Sequence, residues 1–538
     1  MTKTLLIGLG ALTCLQAQHP EISADRIRAH VKFLSSDLLE GRGPGTRGGD
    51  LATDYIATQF ALAGLKPAGD GGTFFQSVPL IGIETEPSAQ LSASKGGETL
   101  GFKWESEFVG VNERLTAEDQ FEAEAVFVGH GIVAPEYQWN DFKDVDVRGK
   151  VLVLFTNEPA SDDPKFFGGR ALTYYGRWSY KYEEAVRKGA LGVIIIHTTP
   201  TAGYGWEVVR NSWSREQPYV KLAPGQGALS FAGWVSKDAG EKLLALAGHH
   251  VDELLKAAES RDFRPIPLGI HIRGNLPTKV RDIQTRNVAG LVEGSDPKLK
   301  SEVIIYSAHW DHLGIGTPVN GDAIYNGAVD NGTGCGILLE LAHAWASQAE
   351  KPRRSALFLA VTAEEGGLRG SEYYAAHPEI PAGKTAIAIN YDGLFPFGRT
   401  RDVVVNGAER TTAWPVVEAV ARQMELTINP EPRPEQGAYY RSDHFSFAHA
   451  GIPAFSVEEG DDFIGKPKGF GAKTFEEYNE KHYHQPSDEF QESWDFSGLA
   501  EMARFGFLIG TEVANQSSLP TWRAGDEFLD ARKNSGVK

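Results

Sequence analysis

The 538-residue sequence predicts an α/β fold built on a mixed, largely parallel sheet flanked by helices. Three observations carry that expectation. The runs 303–307, 356–361 and 386–390 are short and dense in aliphatic and β-branched residues, as suits a fully buried parallel strand covered on both faces. A helical pattern through Ile337, Leu338, Leu341 and Trp345 separates the first two runs. Each run also ends in metal-binding side chains: His309 after the first, Glu364 and Glu365 after the second, Asp392 after the third. Open α/β sheets bind ligands beyond the carboxyl ends of their strands, so these residues are expected on one rim.

At this length a second domain or a large insertion is expected, because one core rarely grows so far. The formal charge of −18 argues against a nucleic-acid groove, which needs clustered Lys and Arg. Residues 1–17 read as a secretory signal, with Lys3, an apolar stretch over 4–15 and a cleavage site at Leu15-Gln16-Ala17. The stretch is too short to span a bilayer, which points to export to the periplasm or medium. Cys14 raises lipid anchoring as an alternative, although Ala11-Leu12-Thr13 matches poorly the small-residue box that precedes a lipidated Cys. After cleavage only Cys335 remains, so no disulfide forms within the chain; a large core needs none.

Residues 18–120 open the main domain. Ile27, Val31, Leu34 and Leu38 recur at helical spacing, and Gly41-Arg42-Gly43-Pro44-Gly45 interrupts them. Leu51, Tyr55 and Leu62 then resume the pattern, with Ile56 and Phe60 widening the apolar face. The glycine-rich break lacks the Lys-Ser/Thr ending and the preceding strand of a phosphate loop, so it reads as a turn. Residues 121–267 change character: strands are expected at 125–129, 150–155 and 191–196 and a helix around 182–187, with many Gly, Pro, Trp and Tyr between. No cluster of metal-ligand residues falls there. The region reads as an inserted domain that shapes access, with Tyr204, Trp206 and Trp213 as candidate entrance residues. Residues 268–538 carry the remainder of the main domain.

The chemistry concentrates in that last part. Asp311 stands beside His309, as befits a carboxylate that fixes a ligating imidazole through its second N–H. His312 reads as an outer or surface residue, because side chains three apart need not converge in a loop. Asp330 lies in the loop before the predicted helix. Glu364 and Glu365 are adjacent acids, which repel unless a positive charge or a proton sits between them. Glycines follow them, and neighbouring side chains point in different directions. One Glu can therefore hold a metal while the other faces the activated water and collects its proton. Ser442-Asp443-His444 is too tightly spaced for a nucleophilic triad and reads as a structural loop near the cleft.

Five segments, in order, resemble the motifs of the secreted di-zinc aminopeptidases of the transferrin-receptor and glutamate-carboxypeptidase superfamily. They are Ala308-His309-Trp310-Asp311, Asn326-Gly327-Ala328-Val329-Asp330-Asn331, Glu364-Glu365-Gly366-Gly367-Leu368-Arg369-Gly370-Ser371, Asn390-Tyr391-Asp392 and Tyr483-His484-Gln485-Pro486-Ser487-Asp488. Residues 281–514 and 22–80 share in the resemblance. Gly129-His130-Gly131-Ile132 and Asp146-Val147-Arg148-Gly149-Lys150 resemble the protease-associated domain inserted in many members. The resemblance implies a zinc exopeptidase fold and two Zn2+ ions bridged by Asp330. One ion would be held by His309 and Asp392, the other by Glu365 and His484. Glu364 would be the general base, Tyr483 a hydroxyl donor to the oxyanion, and Asp311 the outer partner of His309.

The implied activity is hydrolysis of the N-terminal bond of peptides by metal-activated water, with peptides as partners and neither nucleic acid nor a membrane span involved. Carboxypeptidases and dipeptidases of the same superfamily are the alternative. A non-catalytic binding protein of this fold is a further rival, and the full ligand set speaks against it. A carboxypeptidase needs a cation for the substrate's terminal carboxylate, and Arg441 is the one candidate near a cleft segment. N-acetylation is therefore expected to abolish cleavage and C-terminal amidation to change the rate little.

Overall fold

The computed structural model describes residues 20–143, 145–223 and 225–537; the predicted signal segment 1–17 and Cys14 lie outside the described residues. Two helices come first, α1 (Ala24–Leu34) and α2 (Arg47–Leu62). Each begins at a side-chain cap: Ser23 Oγ accepts from Arg26 N, and Thr46 Oγ1 from Gly49 N. Helix α1 buries Ile27, Val31 and Leu34 as its spacing predicts, while Leu38 falls past its end and is 70% exposed. In α2 the apolar face is turned from the expected one. Leu51 and Leu62 face solvent, and Ala52, Ile56 and Phe60 are buried. Gly48 sets that rotation, because a Cβ there would lie 1.9 Å from Leu39 O. The bare glycine face must therefore point inward, and positions 52, 56 and 60 follow it at intervals of four.

Strand β1 (Phe75–Thr85) pairs antiparallel with the second half of β2 (Ile266–Val292), a strand of 27 residues. After it come β3 (Val303–His309), α3 (Gly334–Ser347), β4 (Ser355–Val361), β5 (Thr385–Asn390), β6 (Ala454–Ser456) and α4 (Ser497–Asn515). The order across this part of the sheet is β6-β5-β3-β4-β2. Strands β3 to β6 are parallel, and β2 closes on β4 antiparallel. Every residue of β3, β4 and β5 is buried. Alternate side chains explain why: Ile304, Tyr306 and Ala308 enter a core with α1 to α4, while Val303 and Ile305 enter another with Tyr374, Phe447 and Trp522. Two covered faces allow unbroken apolar runs.

The first half of β2 belongs to a second part of the sheet. It pairs antiparallel with strands Gln90–Lys95 and Glu118–Phe127. Beyond the latter run three parallel strands, Val151–Phe155, Gly192–Ile196 and Phe231–Val235. The strands expected in the middle region are present, and the expected helix is Trp178–Arg187. This part has its own apolar clusters. Among the described residues no helix is long and apolar enough to cross a membrane.

Candidate active site

The parallel register of β3, β4 and β5 brings three chain exits together. His309 stands opposite Val361, and Ser307 opposite Asn390. His309 is thus the last residue of the central strand, Glu364 and Glu365 leave β4, and Asp392 leaves β5. Asp330 enters from the helical turn Ala328–Thr333 that precedes α3. Asp488 holds that turn: its Oδ1 accepts from Val329 N at 3.0 Å and its Oδ2 from Asp330 N at 3.1 Å. His484 arrives from the loop after helix Phe470–Lys481, with a left-handed φ of 56°.

These side chains converge on Asp330. His309 Nε2 lies 3.2 Å from Asp330 Oδ1 and 3.1 Å from Asp392 Oδ1. His484 Nε2 lies 3.4 Å from Asp330 Oδ2 and 3.0 Å from Glu365 Oε2. A tetrahedral zinc site with bonds of about 2.0–2.1 Å has donor-to-donor edges of about 3.3 Å. The two His-to-carboxylate edges at each oxygen of Asp330 are of about that length. His484 Nε2 thus faces a carboxylate oxygen on each side, as a nitrogen placed for a proton or a cation would.

The charge balance points the same way. Burial works against a charged His309, yet Asp392, Glu364 and Asp330 outweigh it and hold the imidazole well above its usual range. His484 is likewise raised to about 9 despite burial, by Glu365 and Asp330. Burial opposes ionised Asp330, but hydrogen bonds from His309 and His484 hold it well below the carboxylate range. Burial, with Asp392 and Glu365 beside it, pushes Glu364 well above that range. In the metal-free chain protons supply the positive charge this cluster needs. A divalent ion would displace them, as metal binding to such ligands does. The mixed imidazole and carboxylate donors suit zinc.

Several partners of these residues were not expected. His312 is buried, and its Nδ1 lies 2.6 Å from Glu365 Oε1; His312, Asp330 and Glu365 form a second converging group beside His309, Asp330 and Asp392. His309 and His312, three apart, therefore both reach Asp330. Asp311 reaches His309 differently from the expected carboxylate contact: its backbone oxygen is 3.1 Å from His309 Nδ1, whereas its Oδ1 stands 4.0 Å away. That carboxylate accepts from Glu364 N at 3.1 Å, and burial pushes it up to about 7. Asp311 therefore ties the His309 loop to the Glu364 loop.

The Ser442-Asp443-His444 loop does more than pack. Ser442 Oγ donates to Asp392 Oδ2 at 2.5 Å and accepts from Asn390 Nδ2 at 2.8 Å. Arg42, from the glycine-rich break, is buried and donates to the backbone oxygens of Leu34, Trp310, Asn326 and Gly327 at 2.6 to 2.8 Å. It joins the loop after His309 to the turn before Asp330. The middle region also reaches the site. Ser212, in helix Trp206–Trp213, has Oγ 2.8 Å from His484 Nδ1, and Asn211 Nδ2 donates to His484 O at 3.0 Å. Of the candidate entrance aromatics, Tyr204 and Trp213 line a cavity against Glu364, while Trp206 turns away and donates to Glu105 O. Tyr483 packs against His484 with ring centres 4.0 Å apart and planes tilted by 34°, and Arg441 Nη2 donates to its hydroxyl at 3.4 Å.

Residues 287–505 match the model of peptidase family M28, and all five converging donors fall within them. The likeness to peptidase family M28 covers this segment. The matched segment spans β3 to β6 and about half of α4, the part of the fold that builds the rim. Over nearly its whole length the chain is similar to the aminopeptidase from Aneurinibacillus sp. strain AM-1, with 20% identity, a TM-score of 0.54, and 92% of this chain and 93% of that one covered. That likeness shows a shared fold. BSAP, a zinc aminopeptidase from Bacillus subtilis, aligns at 16% identity with a TM-score of 0.49, covering 95% of this chain and 98% of its own. The peptidase M28 precursor from Shewanella amazonensis SB2B aligns at 18% identity and 0.46, covering 93% and 99%.

Proposed function

We propose that the chain is an exported di-zinc aminopeptidase, and the observation that carries this reading is the pair of donor faces sharing Asp330. His309 and Asp392 would hold one ion with Asp330 Oδ1, and Glu365 and His484 the other with Oδ2. His312 is read as the hydrogen-bond partner that orients Glu365. Its Nδ1 is committed to that carboxylate at 2.6 Å, whereas His484 Nε2 stands between Glu365 Oε2 at 3.0 Å and Asp330 Oδ2 at 3.4 Å. Two zinc ions, when bound, would supply Lewis acidity to the scissile carbonyl and lower the pKa of water beside it.

The chain's own residues supply the proton traffic and the positioning. Glu364 is buried beside the donors without being needed in either face, and it would take the water's proton and pass it to the leaving amine. Tyr483 is held well above the usual phenol range by burial, so it stays protonated and can donate to the developing oxyanion. The substrate's ammonium would rest in the cavity lined by Asp392, Glu458 and Glu459, where carboxylates meet it without added parts. Residues 121–267 are read as a protease-associated insert that closes over this cleft. Export rests on the sequence of residues 1–17.

The test is a peptide set with free and acetylated N-termini. Cleavage of the free set with loss of activity on the acetylated set is the expected result. Cleavage of acetylated peptides from their C-terminal end would instead place the enzyme among carboxypeptidases.

A further inference from the structure

A second cavity meets Glu364 and Tyr483 but is not lined by Asp392. Two guanidiniums line it, Arg177 from the middle region and Arg441 from the loop before Ser442; Arg441 stands at the border with the first cavity and lines both. Neither pairs with a carboxylate among the described residues. Arg177 Nε is buried without a hydrogen-bond partner, and the one side-chain hydrogen bond of Arg441 is to Tyr483. Aromatic faces flank both: Trp178 lies 6.0 Å from Arg177 and Tyr204 5.4 Å from Arg441.

An unpartnered Nε is shared by Arg369, Arg433 and Arg532, but three other arginines show how this chain usually meets the charge. Arg42 has four backbone oxygens, Arg354 has Glu302 and two carbonyls, and Arg410 has Asp526 and Glu527. Two neighbouring cations without a counter-charge repel each other, and burial together with Arg441 pushes Arg177 down to about 10. A planar guanidinium pair is the arrangement that recognises a carboxylate through paired hydrogen bonds.

The side of the cleft follows from Glu364. A base that returns its proton to the leaving amine must face the residue after the scissile bond, and this cavity is the one that meets Glu364 without Asp392. Resting on the aminopeptidase reading above, we infer that Arg177 and Arg441 form a subsite for a carboxylate on the residue that follows the scissile bond. The favoured substrates are then short: dipeptides presenting a free C-terminal carboxylate, or longer peptides with Asp or Glu at that position. The sequence singled out Arg441 alone and implied indifference to C-terminal amidation. With Arg177 brought to it by the fold, amidation of a dipeptide becomes costly.

Hydrolysis of leucyl-glycine, leucyl-glycinamide and leucyl-aspartic acid α-amide, whose side-chain carboxylate is free, by the wild-type enzyme, Arg177→Gln and Arg441→Gln tests this. Each variant is judged by a ratio of substrates, so a general loss of activity cancels. For a charge-assisted pair the free dipeptide should exceed its amide in kcat/KM by at least about tenfold, mostly through KM, and the ratio should fall toward one in both variants. If instead the aspartyl α-amide exceeds the glycinamide by that factor while the free dipeptide does not, the subsite reads an acidic side chain. Ratios near one in the wild type, or ratios unchanged in both variants, overturn the inference. Calorimetric binding of the same three compounds to Glu364→Gln separates it from the functional reading. If the wild type cleaves none of them, the aminopeptidase reading fails, and the subsite stands only if binding still prefers the carboxylate and loses that preference with Arg441→Gln.

Discussion

Ser212→Ala offers a sharp test of whether the middle region belongs to the metal site. Ser212 Oγ donates to Val208 O at 2.7 Å and meets His484 Nδ1 at 2.8 Å. The hydroxyl proton is thus committed to Val208, so Oγ accepts from His484 Nδ1–H. That fixes the tautomer in which Nε2 keeps its lone pair toward Asp330 and Glu365. Removing an outer partner of a ligating His typically costs about 10–100-fold in metal affinity or activity. Asn211 still holds the His484 backbone, so the lower half of that range, about 10–30-fold, is expected. A chelator-competition titration with zinc measures it directly, and Ser212→Thr, which keeps the hydroxyl, should recover most of the affinity. Zinc affinity in Ser212→Ala within about twofold of wild type would refute the idea that this hydroxyl orients His484.

Three further outcomes follow from the same geometry. Glu364→Gln should keep its zinc and lose most turnover, whereas Glu365→Gln should weaken one of two metal-binding steps; equal metal loss in both would reverse the base and ligand assignments. Arg42→Met takes the donor from four buried carbonyl oxygens, of which Gly327 O keeps Gly332 N, so chemical denaturation should show a loss of about 3–5 kcal/mol, and a loss under about 1 kcal/mol would show that other groups hold the two loops. His444 is buried with both ring nitrogens unpartnered, and burial pushes it down to about 3. A base with a depressed folded pKa stays neutral while the unfolded chain protonates near 6.5, so stability falls as pH drops from about 6.5 toward 3. The stability difference between wild type and His444→Phe should therefore tilt by up to about 1.4 kcal/mol per pH unit in that window, and a flat difference would show that His444 is not buried neutral.

The parts legible in the sequence were those written by burial on both faces. The strands β3, β4 and β5 have no polar side to disguise them, and their ends name His309, Glu364, Glu365 and Asp392 directly. The face of α2 was misjudged because Leu51 and Leu62 outweigh Ala52 on any hydrophobicity scale, while close backbone contact at Gly48 decides the rotation and carries no hydrophobic signal. Contacts between distant segments were the least legible. Ser212 and His484 are separated by 272 positions, and nothing local to either marks the pairing. Arg42 carried a signal that went unused: a long cation inside a glycine-rich break has few reasons to be there unless its charge is spent on backbone oxygens. Asp311 shows a subtler limit, since the residue next to His309 was the right neighbour but touches it through the main chain.

The central claim is that Asp330 is shared by two metal centres. Zinc content per chain, measured on the purified protein and on Asp392→Asn and Asp330→Asn, tests it most directly. The account predicts two ions in the wild type, loss of one with Asp392→Asn, and loss of both or severe weakening of both with Asp330→Asn. A wild-type content of one ion or fewer after zinc saturation, or an Asp330→Asn protein that still holds two, would contradict it.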